Sequence, residues 1–177
     1  ASKGTILHRI MRFVDYDRIK NDPAALDGEV ESLISEGFFK EYGAENVRRC
    51  KEEFASGITG FAGSSICAEM IKAESSGEAE CEKPIVFAVP STEGAKRTDF
   101  ALVQGVIDLI YQADGGKVII DYKTDRLDGM TEDERAAQAR ERHGAQLGYY
   151  SAACEASGSK VKAKFVYLVR YSQFVEV

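Results

Sequence analysis

Hydrophobic spacing sets the first expectations. Ile6, Leu7, Ile10, Met11 and Val14 fall at i, i+1, i+4, i+5 and i+8, one apolar stripe that predicts an amphipathic helix. Ser2 suits its N-cap, and His8 lies at the flank of the stripe. Asp22-Pro23 marks a break and a new helix entry. Residues 24–74 predict several helices punctuated by Gly28, Gly37, Gly43, Gly57 and Gly60, with no internal repeat. Residues 75–82 read as a polar connector.

The pattern then changes. Pro84 to Val89 is a β-rich run closed by Pro90, and Ser91 to Asp99 is polar and loop-like. Phe100–Gln112 and Lys117–Lys123 predict two strands joined by a hairpin turn at Ala113-Asp114-Gly115-Gly116. Thr131 and Glu134 form a capping box that opens a helix, polar as far as His143-Gly144, apolar from Ala145 to Ala156, and terminated by Gly158. Val161 to Tyr171 predicts a strand with Val161, Ala163, Phe165, Tyr167 and Val169 on one face and Lys162, Lys164 and Arg170 on the other. A last strand is expected over Gln173–Val177. Helices, three strands, a helix and one or two strands imply an α/β or α+β domain with a mixed central sheet covered by helices. The 177 residues suffice for one domain, mainly helical over 1–75 and sheet-containing over 82–177.

Composition narrows the class. Hydrophobic content of 44% with 29% charged residues is that of an ordinary globular chain, and no apolar run approaches the ~20 residues that span a bilayer. A cytoplasmic protein without membrane attachment is expected. Ala1-Ser2-Lys3-Gly4-Thr5 has neither an initiator Met nor a signal-peptide core, and reads as a cut upstream of a helix in a longer protein. Cys50, Cys67, Cys81 and Cys154 lie at least fourteen positions apart, which excludes C-x-x-C motifs and the tight clusters of iron–sulfur ligation. Buried free thiols are expected. The net charge of −6 does not advertise a nucleic-acid binder, but its distribution is uneven. Residues 1–20 carry five Lys/Arg against two Asp, residues 156–177 four against one Glu, and residues 21–60 four against nine acids. Were the basic ends to meet in space, they would form a local cationic track.

Two acids stand where strands should be apolar. Asp108 interrupts Val106-Ile107-Asp108-Leu109-Ile110, and Asp121 follows Val118-Ile119-Ile120. A carboxylate in such a setting is costly unless paired or metal-bound. A turn at Asp114-Gly115 sets Asp108 opposite Asp121, whereas a turn at Gly115-Gly116 sets it opposite Lys123. Either register puts all three side chains on one face. A divalent cation relieves the repulsion between the acids, and oxygen ligation suits Mg²⁺ or Mn²⁺. Lys123 would then sit beside a metal-bound water, to orient it or to neutralise charge developing on a phosphate. Gln146 and Tyr150, at i and i+4 of the following helix, share a face. They either bond a phosphate or catalytic carboxylate, or form the rim of a helix that packs Leu147, Tyr149 and Ala153 on the sheet. His143, in a charged stretch, reads as solvated.

Five separated segments carry a resemblance. Gly4-Thr5-Ile6-Leu7-His8 resembles a Gly-x-x-x-His helix motif, and Glu82-Lys83-Pro84-Ile85 a Glu-x-Pro-Phe segment with Ile85 in place of Phe. Gly105-Val106-Ile107-Asp108 is similar to Gly-x-Ile-Asp, Asp121-Tyr122-Lys123-Thr124 to Asp-Tyr-Lys-Thr/Ser, and Gln146-Leu147-Gly148-Tyr149-Tyr150 to Gln-Leu-x-x-Tyr. Together, in this order, they resemble RecB-type nucleases of the PD-(D/E)XK superfamily, most of all the C-terminal nuclease domain of AddA-type helicase–nucleases. The resemblance implies a restriction-endonuclease-like fold with a helical N-terminal half. It implies Mg²⁺ or Mn²⁺ held by His8, Asp108, Asp121 and the main-chain carbonyl of Tyr122, with Lys123 catalytic and Gln146 and Tyr150 at the site. It also implies cleavage of single-stranded DNA in double-strand break repair by homologous recombination, coupled to upstream helicase domains of the same polypeptide and to an AddB-type second subunit. The dispersed cysteines depart from the iron–sulfur branches. No Gly-x-x-x-x-Gly-Lys-Ser/Thr loop is present, so ATP binding would belong to those upstream domains. An active phosphodiesterase and a non-cleaving DNA-binding or docking module both remain open, with intact Asp108, Asp121 and Lys123 favouring the first.

Overall fold

A computed structural model describes residues 3–90 and 100–177. The proposed Ser2 cap and the Ser91–Asp99 loop lie outside the described residues. Five helices come first: α1 (Lys3–Phe13), α2 (Tyr16–Asn21), α3 (Ala25–Ser35), α4 (Ala44–Ala62) and α5 (Ser65–Ser75). There follow β1 (Ala79–Pro90), β2 (Phe100–Ala113), β3 (Gly116–Lys123), α6 (Glu132–Ala156), β4 (Val161–Leu168), a 3₁₀ turn (Val169–Tyr171) and β5 (Gln173–Glu176). The strands form one sheet in the order β1-β2-β3-β4-β5, antiparallel except for β3 and β4, which run parallel across the α6 crossover. The expected α/β architecture, a mixed sheet flanked by helices, is the one observed.

The apolar stripe of α1 is buried at Ile6, Leu7, Ile10 and Met11. It packs with α2–α5 on one side of the sheet, against Leu109, Tyr111, Val118, Ile120, Tyr122 and Tyr167. Helix α6 covers the other side, where Leu147, Tyr150 and Cys154 meet Ile107, Ile110, Ile119, Val166 and Leu168. The capping box at its N-terminus forms as expected, with Thr131 and Glu134 bonding each other's main-chain N–H. At its C-terminus Gly158 has φ +85°, Gly158 N–H donates to the Glu155 carbonyl and Ser159 N–H to that of Cys154, which closes the helix as a Schellman motif.

Five expectations need correction. Gly37 and Gly43, at φ +87° and +76°, do punctuate helices, but Gly28 lies inside α3 and Gly57 and Gly60 inside α4. A β-carbon at Gly57 would stand 1.9 Å from the Val169 carbonyl oxygen, so glycine here permits the backbone of α4 to touch the 3₁₀ turn. The polar connector is shorter than 75–82, because α5 reaches Ser75 and β1 begins at Ala79. Val161–Tyr171 is not one strand: β4 stops at Leu168, whose pairing with Gln173 requires the chain to reverse, and Ser172 completes the reversal at φ +50°. A register shift between Lys117 and Val118 carries Val161 to the α6 side, away from Ala163, Phe165 and Tyr167. Finally, Cys50, Cys67 and Cys154 are buried free thiols, while Cys81 is exposed.

Candidate active site

The β2–β3 hairpin turns through Asp114-Gly115, with Ala113 paired to Gly116 and Leu109 to Ile120. Continuing that register sets Asp108 across from Asp121, the first of the two arrangements the sequence left open. Near Asp108 the strand changes its dealings with the two layers. Ile107 packs on the α6 side and Leu109, two residues on, in the helical core. In β1 the ladder passes from Cys81↔Leu109 to Lys83↔Ile107 with Glu82 between them at φ +50°. The register is the same on both sides of Glu82, so its left-handed backbone is a local strain within an unshifted ladder.

His8, Asp108 and the Tyr122 main chain form a closed group. Tyr122 N–H donates to Asp108 Oδ2 at 2.8 Å. His8 Nδ1 lies 3.2 Å from Asp108 Oδ1, and His8 Nε2 3.0 Å from the Tyr122 carbonyl oxygen. The imidazole reaches this point because α1 is anchored by its buried stripe and the ring meets Tyr122 edge-on at 6.0 Å between centroids. Burial pushes the His8 pKa down, but hydrogen bonding and charge from Asp108, with the Tyr122 carbonyl, outweigh it and raise the pKa overall.

Asp121, Lys123, Gln146 and Tyr150 form a chain. Lys123 Nζ is 2.6 Å from Asp121 Oδ2 and donates to Gln146 Oε1 at 3.1 Å, while Gln146 Nε2 donates to the Tyr150 hydroxyl at 2.7 Å. Tyr150 is buried against Gly105, where a β-carbon would come within 2.8 Å of its ring. The α6 face is therefore Leu147 and Tyr150, not Leu147 and Tyr149: Tyr149 is 49% exposed. Asp121 is 3% exposed, and its Oδ2, although close to the Lys123 ammonium, receives no hydrogen bond of acceptable geometry. Burial raises the Asp121 pKa, Lys123 opposes the rise and Asp108 adds to it.

These residues fit a hard divalent cation. Two carboxylates, a carbonyl oxygen and an imidazole nitrogen are an oxygen-rich donor set, and Asp121 offers a buried, under-satisfied oxygen toward it. Among the described residues no three His, Cys, Asp or Glu side chains already form a cation cage. In this arrangement His8 bonds Asp108 and the carbonyl directly.

Two other expectations change. His143 is not solvated: its side chain is 17% exposed and Nε2 lies 3.0 Å from Asp125 Oδ2. Sequence reasoning missed Asp125, although its i+2 spacing from Lys123 was a usable signal. The basic chain ends do meet, but on an acid. Lys3 and Arg170 both pair with Glu53, joined by Arg126, so their charge is partly neutralised by the acidic middle of the chain.

Comparison with known proteins identifies a family for the chain. Residues 1–174 match the profile of the PD-(D/E)XK nuclease superfamily. The chain is 30% identical over 177 residues to an ATP-dependent helicase/nuclease subunit from Acetivibrio thermocellus, covering 95% of this chain and 13% of that protein. The protein of the same name from Thermoanaerobacter sp. strain X514 is 30% identical over 178 residues, and that from Clostridium kluyveri 27% over 176, with the same coverage. The chain thus spans about an eighth of the length of these relatives.

Proposed function

The chain belongs to the PD-(D/E)XK nuclease superfamily, and from that premise we propose that it hydrolyses phosphodiester bonds of single-stranded DNA with Mg²⁺ or Mn²⁺. The observation that carries this reading is the buried Asp121 carboxylate, one oxygen of which has no proper hydrogen bond, beside Asp108 and under Lys123. His8, Asp108, Asp121 and the Tyr122 carbonyl would hold the cation, which when bound supplies an activated water and a Lewis acid for the phosphate. The protein's own contribution is orientation and charge. The Tyr122 amide fixes the Asp108 carboxylate. Lys123, steadied by Gln146, presents its ammonium to the negative charge that builds on the phosphate as the bond to water forms. Gln146 and Tyr150 keep that ammonium in place rather than meeting the phosphate themselves.

The names of its relatives support a wider setting. In this reading the domain works in the bacterial cytoplasm within a helicase–nuclease, alongside ATP-driven helicase domains and a second subunit of the AddB type, trimming DNA ends for recombinational repair. No helix among the described residues is long and apolar enough to cross a membrane.

The test is digestion of single-stranded DNA with and without Mg²⁺ or Mn²⁺, with Mn²⁺ affinity read by calorimetry. Asp121→Ala should abolish cleavage and weaken metal binding. Lys123→Ala should cut the rate by about 10²–10³-fold, the usual cost of one lost transition-state donor, yet bind Mn²⁺ like the parent because a protonated lysine offers no lone pair. Cleavage by Asp121→Ala at the parent rate would move the active site elsewhere. A parent that binds no divalent cation and cuts nothing, even joined to helicase and partner, would be a docking module.

A further inference from the structure

The catalytic strand ends at Lys123, which pairs with Leu168 as the last rung of the β3–β4 ladder, and residues 124–127 have no regular structure. A lysine at the free end of a strand can swing with the loop that follows it. Two residues on, Asp125 meets α6. Its Oδ1 accepts from Arg142 Nη1 at 3.0 Å, and its Oδ2 lies 3.0 Å from His143 Nε2. The Asp125 and His143 side chains are 18% and 17% exposed. Burial pushes the Asp125 pKa up, but the guanidinium and imidazole more than offset this and hold it below the ordinary carboxylate range. Residues 142–143, 146 and 150 of α6 follow one another at helical spacing, so Asp125 engages the turn next to the one that Lys123 reaches through Gln146.

We propose that Asp125, gripped by Arg142 and His143, is a positioning residue that clamps the exit of β3 to α6 and so holds the Lys123 ammonium between Asp121 and Gln146. Both Asp125 oxygens are committed to donors on α6, as a clamp between the two elements requires. The clamp also supplies what Gln146 cannot. The bond from Lys123 to Gln146 is a single contact of 3.1 Å to a neutral acceptor, whereas Asp125 is held on both oxygens by charge-assisted contacts that resist rotation of the segment. The catalytic meaning of the clamp rests on the reading of Lys123 given above, while the clamp itself does not.

Competitive acylation of lysines followed by mass spectrometry reads the position of Lys123 without any cleavage. In the 177-residue chain, Asp125→Ala and His143→Ala should raise Lys123 labelling about fivefold relative to Lys164, as its ion pair opens to solvent. His143→Gln, which keeps an N–H donor of similar reach, should return it to near the parent level. Unchanged Lys123 labelling in Asp125→Ala, with the fold verified by circular dichroism, would overturn the proposal. Cleavage then tests the link. Asp125→Ala should lower kcat about 10–100-fold with KM and Mn²⁺ affinity unaltered, the usual size of an outer-shell effect. In a Lys123→Ala background it should cost nothing more. An equal cost in both backgrounds, or a loss of Mn²⁺ affinity, would refute action through Lys123. If labelling responds as expected and the parent cuts no DNA, the clamp stands and the nuclease reading falls.

Discussion

Asp121→Asn should make the metal-free protein more stable, not less. The carboxylate is 3% exposed, one oxygen lacks a proper hydrogen bond, and Asp108 stands across the hairpin. Burial and Asp108 raise its pKa, so between its unfolded and folded values the native state binds more protons. Stability is therefore lost as pH rises through that window, and the cost is fully present above the folded value. Asparagine keeps the volume and an acceptor for Lys123 but removes the charge. Against the gain stands the lost Lys123 pair, at 2.6 Å with the lysine side chain 21% exposed. A net rise of about 1 kcal/mol is expected, the usual yield when a group kept for activity is relaxed. In a domain of this size that moves Tm by about 2–4 °C. The cation should reverse the order. At a hundredfold excess over Kd it adds about 2.7 kcal/mol to the parent, or roughly 5–11 °C, and far less to the variant. Thermal melts followed by circular dichroism in EDTA and in Mn²⁺ give all four values. An Asn variant melting below the parent in EDTA would refute the burial reasoning, and an equal Mn²⁺ response in both would remove Asp121 from the ligand set.

Three further outcomes follow from the packing. Gly57→Ala should lose about 3 kcal/mol in urea denaturation, since the new methyl would overlap the Val169 carbonyl at 1.9 Å, whereas Gly28→Ala, with nothing within 4 Å, should gain about 0.5–1 kcal/mol from helix propensity; equal effects would discount the close approach. Glu53 is held down to about 2 by Lys3 and Arg170, so its contribution is present above the unfolded carboxylate value and lost as pH falls toward 2. With Lys3 63% and Arg126 68% exposed, Glu53→Gln should cost only about 1 kcal/mol at pH 7, and a Tm difference that persists unchanged near pH 2 would contradict the linkage. Gly105→Val should displace the Tyr150 ring, now 2.8 Å from where a β-carbon would stand, and slow cleavage while leaving Mn²⁺ affinity intact; a loss of Mn²⁺ binding would place Tyr150 closer to the cation than its bond to Gln146 implies.

What the sequence disclosed depended on whether a feature was periodic or relational. The stripe of α1, the β2–β3 hairpin, the capping box of α6 and the acids at 108 and 121 are local patterns, and each formed where expected. Features set by contacts between distant segments were misread. Gly57 and Gly60 looked like helix breaks because close approach to Val169 and Ser172 leaves no trace in nearby residues. Val161–Tyr171 looked like one strand because its alternation runs on past the point where pairing with β5 forces a reversal. His143 looked solvated because its partner, Asp125, is eighteen positions away on another element.

The site's location follows from the sheet having two covered faces. On β3, alternation sends the Tyr122 ring into the helical core, against Phe61 and Tyr167, and Asp121 and Lys123 toward α6. The Tyr122 main chain sits between these layers, where its N–H meets Asp108 and its carbonyl meets His8. One tripeptide can thus offer side-chain charge to one layer while its backbone is fixed by the other. The large Tyr122 ring, buried against Phe61 and Tyr167, helps to fix the main chain between the acid and the lysine. It also gives the helical half a role beyond stability. His8 rides on α1, which shares its core with α4, so packing at Phe61 bears on the position of the imidazole that we propose as a ligand.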